Sequence, residues 1–495
     1  VDGQQSEEPP MKIVRSCSAF FVTLIIAAVF AASGQGPGQP ADSGKASKHD
    51  RYRVVDVGTF GGPNADVLVP PPAAQILTNS GIFVGGAETL LPDAFRPNCF
   101  KDDCLVQDGL LNFASFSINI GTLRAGYSAV PIAVNDFGVA VGFSQNGLLD
   151  PLTGTPELKA TLWKGARVVD LGTLGGNGAS ANAINDRGQI FGGALNDIPD
   201  TDSAFPFFIP GATQAHAVLW EHGRIKDLGT LGGADSVVYQ ANEAGQAMGI
   251  SFTDGTRHDT TGLPTTHPFL WENGNMHDVG SLGGSYSEGY GLNRRGDVVG
   301  FSNMKGDTVE HPFRWRGGVL IDLGTLGGDN GEAWAVNDLG HIAGWADLPG
   351  SHAHHAVLWR DHQMIDLGTP HGNACSKGET INRFDQVVGD SGECGVGGDP
   401  FLWDSGQVFA LRDLILPGSD RVVYDAFQIN DRGEIVSFCA TPEGNQHVCL
   451  LYPVHGSSNQ MQQDEAQVTK PAPAMLPATG ERRLRGIPRA GDVRR

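Results

Sequence analysis

Positive charge is scarce in this chain: 34 Lys and Arg stand against 55 Asp and Glu, a formal net charge of −21 over 495 residues. A surface so acidic repels phosphate backbones, which argues against nucleic acid as a partner. Long apolar runs are missing as well. The longest, Ala19 to Phe30, is about a dozen residues, too short to span a bilayer comfortably. No 3.6-residue apolar periodicity runs through the sequence, so helical repeats are disfavoured. There is no Gly-x-Ser-x-Gly elbow, no His-Glu-x-x-His and no phosphate-binding glycine loop, which leaves catalysis without a motif to point at. No Cys-x-x-Cys spacing occurs, which argues against a thiolate metal site.

What is present is glycine, 69 residues of it, without the three-residue period of collagen. That surplus means many tight turns and therefore many short strands. Apolar residues make up 40%, enough for a folded core rather than a disordered chain. Residues 1–33 read as a signal-peptide region. Met11-Lys12-Ile13-Val14-Arg15 forms a positive start, Ala19 to Phe30 the apolar stretch, and Ala31-Ala32-Ser33 the small residues for cleavage. Met11 reads as the true start. Cys17 precedes the apolar stretch, where a lipoprotein cysteine would have to follow it. Residues 34–50 read as a linker. With that leader removed no stable membrane span is expected, and the protein is expected to be secreted or periplasmic. Six cysteines then remain, in three sequence-local pairs: Cys99 with Cys104, Cys375 with Cys394, and Cys439 with Cys449. An even count in an exported chain favours disulfides.

Three phrases recur. The first is Asp170-Leu-Gly-Thr-Leu-Gly-Gly176, repeated from Asp227, Asp278 and Asp322, weaker from Asp56 and Asp366, and degraded at Asn119 and Asp413. The second is Asn-x-x-Gly-x-x-x-Gly or close to it, beginning at Asn135, Asn185, Asn242, Asn293, Asn337, Asn382 and Asn430, with a shortened form at Asn79. The third is an apolar pair ending in tryptophan at Trp163, Trp220, Trp271, Trp315, Trp359 and Trp403, with Leu110-Leu111 and Leu450-Leu451 in the same slot. Each phrase occurs eight times.

One set of phrases describes four strands. Ala183 to Asn185 and Gln189 to Phe191 are β-prone runs joined by Asp186-Arg187-Gly188, a hairpin turn. His216 to Trp220 and Arg224 to Leu228 are two more, joined around Gly223. Four strands of about 5–6 residues with their turns need roughly 45–50 residues, the size of one propeller blade. The folded region opens at Tyr52 to Asp56 with a fourth strand lacking its first three, and ends at Val448 to Tyr452 with a third lacking its fourth. The expected fold is therefore an all-β propeller over residues 51–455, of eight four-stranded blades (seven if the first unit is no true blade). Its N-terminal strand closes the last blade and removes the exposed sheet edges. The recurring tryptophans are expected to be core packing between sheets rather than a stacking platform for ligands.

These phrases resemble the HAF-repeat family of predicted extracellular proteins, named for a His-Ala-Phe tripeptide before the Leu-Trp pair. Here the slot reads His216-Ala-Val, His267-Pro-Phe, His311-Pro-Phe and His355-Ala-Val. The resemblance covers residues 51–455, is strongest in the middle five units, and is interrupted in the first by Cys99 to Gln107. It implies an exported bacterial propeller and brings no catalytic residues with it.

In a propeller the blade-to-blade connection and the second-to-third strand loop emerge on one face. The second-to-third loops vary most here, from Asn303–Glu310 to Ala194–Ala215, so binding is expected on that face. Candidate binding residues are Asp197, Asp200 and Asp202, then Asp254, His258 and Asp259, then His352 and His354. The run from Asn196 to Asp202 could hold calcium through oxygen ligands but lacks the EF-hand glycine and terminal glutamate. No other cofactor is called for, and a monomer is expected. The repeated Asp of Asp-Leu-Gly is expected to bond turn amides, a ring of calcium sites being the lesser reading. Arg295-Gly296-Asp297 spells an adhesive tripeptide but occupies a hairpin turn. Leu476-Pro-Ala-Thr-Gly480 spells a sortase signal with no apolar segment after it. The arginine-bearing tail, 456–495, reads as disordered.

Three functions follow. A binding scaffold for an extracellular protein or polysaccharide comes first, then a glycan- or ester-cleaving hydrolase or lyase, then a structural surface protein. Carboxylates clustered in one pocket of the loop-rich face would favour the enzyme. A broad aromatic or apolar patch would favour binding.

Overall fold

The computed structural model describes residues 50–67, 75–97, 99–101, 103–113, 116–200 and 213–454. The expected leader, nearly all of the linker, the tail and Asp202 lie outside the described residues.

The strands fall into eight consecutive antiparallel quartets. Blade three shows the pattern: Gly175–Ile184, Ile190–Pro199, Thr213–Glu221 and Arg224–Gly229 pair in chain order. Blade one runs from Gly61–Asp66 to Phe116–Gly121, blade two from Ala129–Val134 to Arg167–Asp170, and blade four from Ser236–Ala241 to Asn275–Asp278. Blade five runs from Gly283–Leu292 to Val319–Asp322, blade six from Gly331–Val336 to Gln363–Gly368, and blade seven from Cys375–Ile381 to Gln407–Ala410. Blades four and five also share one parallel bridge, Thr266 to Tyr286. Blade eight is a composite: Val422–Ile429, Ile435–Ala440 and Gln446–Val454 take Arg51–Asp56 as the fourth strand, in register from Arg51 opposite Val454 to Asp56 opposite Cys449. The first unit is thus a true blade, and the chain closes as the broken first and last units require.

From blade two to blade eight the first strands of successive blades contact one another, while fourth strands barely touch their neighbours. The first strand of each of these blades therefore faces the axis. All six repeated tryptophans are buried, none more than 7% exposed. They pack in clusters that draw side chains from two adjoining blades, as Trp220 does with Ala133, Val141 and Ala160 of blade two.

Each letter of the second phrase has a structural task. Asn185 Oδ1 accepts the Gln189 amide of its own turn at 3.1 Å, and Asn185 Nδ2 donates to the Asn242 carbonyl of the next blade at 3.2 Å. Asn135, Asn242, Asn293, Asn337 and Asn382 donate in the same way to the next asparagine's carbonyl. Asn430 carries the stitch across the closure to the Thr78 carbonyl at 2.9 Å. The first glycine, as at Gly188, has φ +78, a turn conformation that other residues adopt reluctantly. The second lies where an irregularity in the ladder pushes the first strand's carbonyl against it. A Cβ on Gly300 would sit 1.9 Å from the Glu288 oxygen, and one on Gly192 2.0 Å from that of Ser180. Blade eight carries Ser437 in this slot, and its first strand has a second register shift. There the Ser437 hydroxyl donates to the Asp425 carbonyl.

The first phrase is self-bonded. Asp170 Oδ1 accepts the Gly172 amide at 2.8 Å, and Thr173 Oγ1 donates to the Gly176 carbonyl at 2.7 Å. The same aspartate caps recur at Asp56, Asp227, Asp278, Asp322 and Asp366. Asp413 departs from the expectation. Its stretch, Leu411–Leu414, forms a single helical turn, and Asp413 pairs with His371 Nε2 at 2.8 Å instead of capping a connection.

Candidate functional site

In blades three to six the histidine three residues before each Leu-Trp or Arg-Trp pair meets the aspartate of the first phrase. His216 Nδ1 lies 2.8 Å from Asp227, His267 2.9 Å from Asp278, His311 2.8 Å from Asp322, and His355 2.8 Å from Asp366. These histidines hold third strand to fourth. Arg295-Gly296-Asp297 is likewise structural: Asp297 is fully buried and accepts from Arg314 and Asn293.

Of the described sequence candidates, only His354 lines the cavity described below; the others do not converge. Asp197 and Asp200 end the second strand of blade three, and Asp200 shares a hydrogen bond with Asp235, the residue just before blade four. Burial, and then the Asp200 charge, push the Asp235 carboxyl up to about 7. Asn196 spends its Oδ1 on the Ile198 amide at 2.9 Å. On blade four, Asp254 caps the Thr256 amide at 2.9 Å and His258 Nε2 meets Thr265 Oγ1 at 2.8 Å, while Asp259 is exposed. The three neighbouring histidines separate. His352 is exposed, His355 holds Asp366, and His354 turns toward Cys375, with Nδ1 3.6 Å from Sγ. Among the described residues no group of three or more His, Cys, Asp and Glu is arranged to hold a metal ion.

A different set does converge. Five residues before each repeated asparagine lies one slot of the axial strand, occupied in turn by Val130, Ser180, Val237, Glu288, Glu332, Lys377 and Asp425. From blade five onward that slot is charged. Two residues further on stand Tyr290, Trp334 and Glu379. Glu310, at the start of a third strand, hydrogen-bonds Glu332 of the next blade, and Asp390, on a second strand, hydrogen-bonds Asp425 of the next. Two carboxyls can bond each other only by sharing a proton.

Their environment keeps that proton in place. Burial and then the Glu332 charge push Glu310 up to about 8, and burial and then Asp425 push Glu379 up to about 8. Burial also lifts Asp390, Asp425 and Glu332. Glu288 is pushed up to about 7 by burial, although Tyr286 donates to its Oε2 at 2.7 Å. One cation answers these acids. Lys377 Nζ sits 4.6 Å from the Trp345 ring centre and 5.2 Å from that of Trp334.

Part of this cluster opens to solvent. A cavity of about 280 Å³ is lined by Trp334, His354, Cys375, Lys377, Glu379 and Asp390, among others. Its rim includes the turn at Glu393 and Gly395, between second and third strands, so it opens on the loop-rich face. A second hollow of about 350 Å³ lies on the hairpin between third and fourth strands of blade three, on the opposite face, and gathers no such set. The loop-rich face is also uneven. Second strands run to 10 or 11 residues in blades one to four and only 6 or 7 in blades five to eight. Those of blades one to three end in exposed aliphatics: Leu90 at 75%, Leu149 at 52% and Ile198 at 49%. The cavity thus sits on the low side of the face, opposite a tall apolar margin.

The three cysteine pairs are disulfides, Cys99–Cys104, Cys375–Cys394 and Cys439–Cys449. No helix among the described residues is long and apolar enough to cross a membrane. No family model matches the chain, and no curated protein matches it in sequence. Among solved structures it is similar to the β-propeller domain of the Trilobed protease from Pyrococcus furiosus, at 10% identity and a TM-score of 0.40, over 66% of this chain and 97% of that one. It is also similar to the Trypanosoma rangeli sialidase in complex with the inhibitor DANA, at 10% identity and a TM-score of 0.32, over 84% of this chain and 61% of that one. Both likenesses are of fold.

Proposed function

We propose that this chain is an exported propeller that binds a polysaccharide on the low side of its loop-rich face, above blades six and seven. The observation that carries the reading is the convergence of Trp334, Lys377 and carboxyls from neighbouring axial strands on one cavity. Sugar hydroxyls take hydrogen bonds from carboxyl and ammonium groups, and the apolar face of a sugar ring packs on an indole. Export is supported by the three disulfides and by the leader-like start of the sequence. The kinship we infer with HAF-repeat proteins draws on the recurrent histidine slot, whose side chain answers the repeated aspartate.

A second reading, cleavage of the bound glycan, is favoured by the proton-sharing carboxyl pairs. A carboxyl that keeps its proton near neutrality beside one that releases it is what acid–base cleavage of a glycosidic bond requires.

The test is affinity electrophoresis of the full chain against a panel of soluble neutral and charged polysaccharides, with assays for new reducing ends and unsaturated products. Retardation by at least one polysaccharide, lost in Trp334→Ala, is expected. Retardation unchanged in Trp334→Ala, or absent throughout, overturns the reading. Product formation that stops in Glu379→Gln or Asp390→Asn while retardation persists would move the assignment to cleavage.

A further inference from the structure

The three disulfides occupy different surroundings. Cys439 and Cys449 are both fully buried, on paired strands of blade eight. Cys99 and Cys104 are both half-buried, in a loop of blade one. Cys375–Cys394 alone joins an exposed cysteine to a buried one: Cys394 lies on the exposed turn after Val387–Glu393, and Cys375 is 3% exposed on the cavity wall. The buried sulfur has a donor. The His354 amide points at Cys375 Sγ from 3.3 Å, and the His354 ring stands 3.6 Å from the same atom. Burial, Lys377 and His355 hold the His354 imidazole down at about 4, so the ring is neutral at neutral pH and can present an N–H. Lys377 lines the same cavity. Glu379 and Asp390 face it too, and the protons they retain weaken their opposition to a nearby anion.

We propose that Cys375–Cys394 is a thiol–disulfide exchange site, attacked by an external dithiol at Cys394 with Cys375 as the leaving sulfur. The reagent's thiolate bonds to Cys394 Sγ, and the Sγ–Sγ bond breaks with its electron pair staying on Cys375. The reagent's second thiol then closes onto its own first sulfur and releases the Cys394 thiolate. Two electrons and two protons pass to the protein, which is left with two cysteine thiols, and the dithiol leaves as a disulfide. Exchange is fastest where the attacked sulfur is accessible and the leaving thiolate is stabilised. The exposed turn supplies the first condition and the amide with its cationic neighbour the second. Opening the bridge frees the turn at Glu393–Gly395 from the start of the axial strand, so the cavity rim changes with it. The proposal concerns the bridge itself and stands whichever ligand the cavity takes.

The test keeps the full chain folded, exposes it to graded dithiothreitol without denaturant, traps free thiols by alkylation and maps them by peptide mass spectrometry. Cys375 and Cys394 should be alkylated about ten-fold or more faster than Cys439 and Cys449, with the β-sheet circular dichroism retained. Incubation with glutathione should place the adduct on Cys394. His354→Phe, which removes the ring donor and keeps the amide, should slow opening several-fold, and His352→Phe should leave the rate unchanged. Any of three results overturns the proposal: all bridges opening together with loss of the sheet signal, Cys99–Cys104 opening first, or the adduct on Cys375.

Discussion

His447 Nδ1 lies 2.8 Å from Asp56 Oδ2, across 391 residues of sequence. It is the same pair that His267 makes with Asp278 inside a single hairpin, except that here its members come from opposite ends of the ring. Asp56 also takes the Gly58 amide at 2.8 Å and Arg421 Nε at 2.6 Å. The repeat's ordinary strand-to-strand bond is thus the clasp of the closure, with an arginine added. The hydrogen bonds from His447, Gly58 and Arg421 outweigh the burial cost and hold the Asp56 carboxyl down at about 2.

Asp56→Asn should lower stability by about 2 kcal/mol, the scale of hydrogen bonds to a charged group. Asp278→Asn, which breaks the same pair inside a continuous hairpin, should cost less. Thermal melts of the two variants check the order, and equal losses would show that the closure is no weaker than any other hairpin.

The asparagine stitches predict a position-specific cost. Asn430→Asp keeps the turn acceptor for the Arg432 and Glu434 amides but removes the donor to the Thr78 carbonyl and sets a carboxylate beside Glu434. A loss of about 2–3 kcal/mol is expected, since the Thr78 carbonyl keeps only the Gly81 amide and the new carboxylate is buried beside Glu434. Asn79→Asp, at the exposed counterpart, should change little. Urea titration separates the two.

Gly300→Ala should destabilise by about 3 kcal/mol, because the new methyl meets a backbone oxygen rather than a side chain that can turn away. Ser437→Ala is the control in the blade that already carries a side chain there, and its cost should be confined to the lost hydroxyl bond. Chemical denaturation of both variants tests whether the glycine is steric.

The axial carboxyls set a pH dependence of known sign. Glu288 keeps its proton to about pH 7 and Glu310 and Glu379 to about pH 8 in the folded chain, whereas an unfolded glutamate releases it near about 4.3. Between those limits the folded state binds more protons, so this contribution is whole below about pH 4 and is lost as pH rises through 7 to 8. Asp56 acts oppositely, its contribution present above about pH 4 and lost as pH falls through 2. Melting temperature should therefore peak on the acid side of neutrality and decline toward pH 8. Glu332→Gln with Asp390→Asn should flatten the decline, and a wild-type maximum at or above pH 8 would contradict it.

The fold could be read from the phrases because each encodes a bond that any blade must make. Asn185, Gly192, Trp220 and Asp227 answer to neighbours at fixed spacing, and repetition made them visible. The closure was readable because Tyr52 to Asp56 has no partner strand nearby in sequence. The cavity was not readable along the chain. Glu332 looks like one acid among polar residues, and Lys377 like a surface lysine. Only stacking the repeats, so that Val130, Ser180, Val237, Glu288, Glu332, Lys377 and Asp425 form a column, shows that charge gathers on one arc of the axis. The candidates Asp254, His258 and His352 lie apart from this cavity for the converse reason: loop length marks where a chain is free to vary, and these polar side chains bond within their own loops or face solvent. Asp413 failed because the letters of a degraded phrase do not report that Leu411 to Leu414 has coiled into a helical turn.

Because Arg51–Asp56 must pair with Gln446–Val454, the earliest strand of the ring has no place to dock until the latest arrives. At synthesis rates of about 5–20 residues per second the intervening 391 residues take roughly 20–80 s. Throughout that interval one sheet edge stands bare, and seven blades can assemble before the eighth exists. Until the last strand arrives that edge is open to pairing with another chain, so completion of synthesis, rather than the strength of any blade, sets when the ring can close.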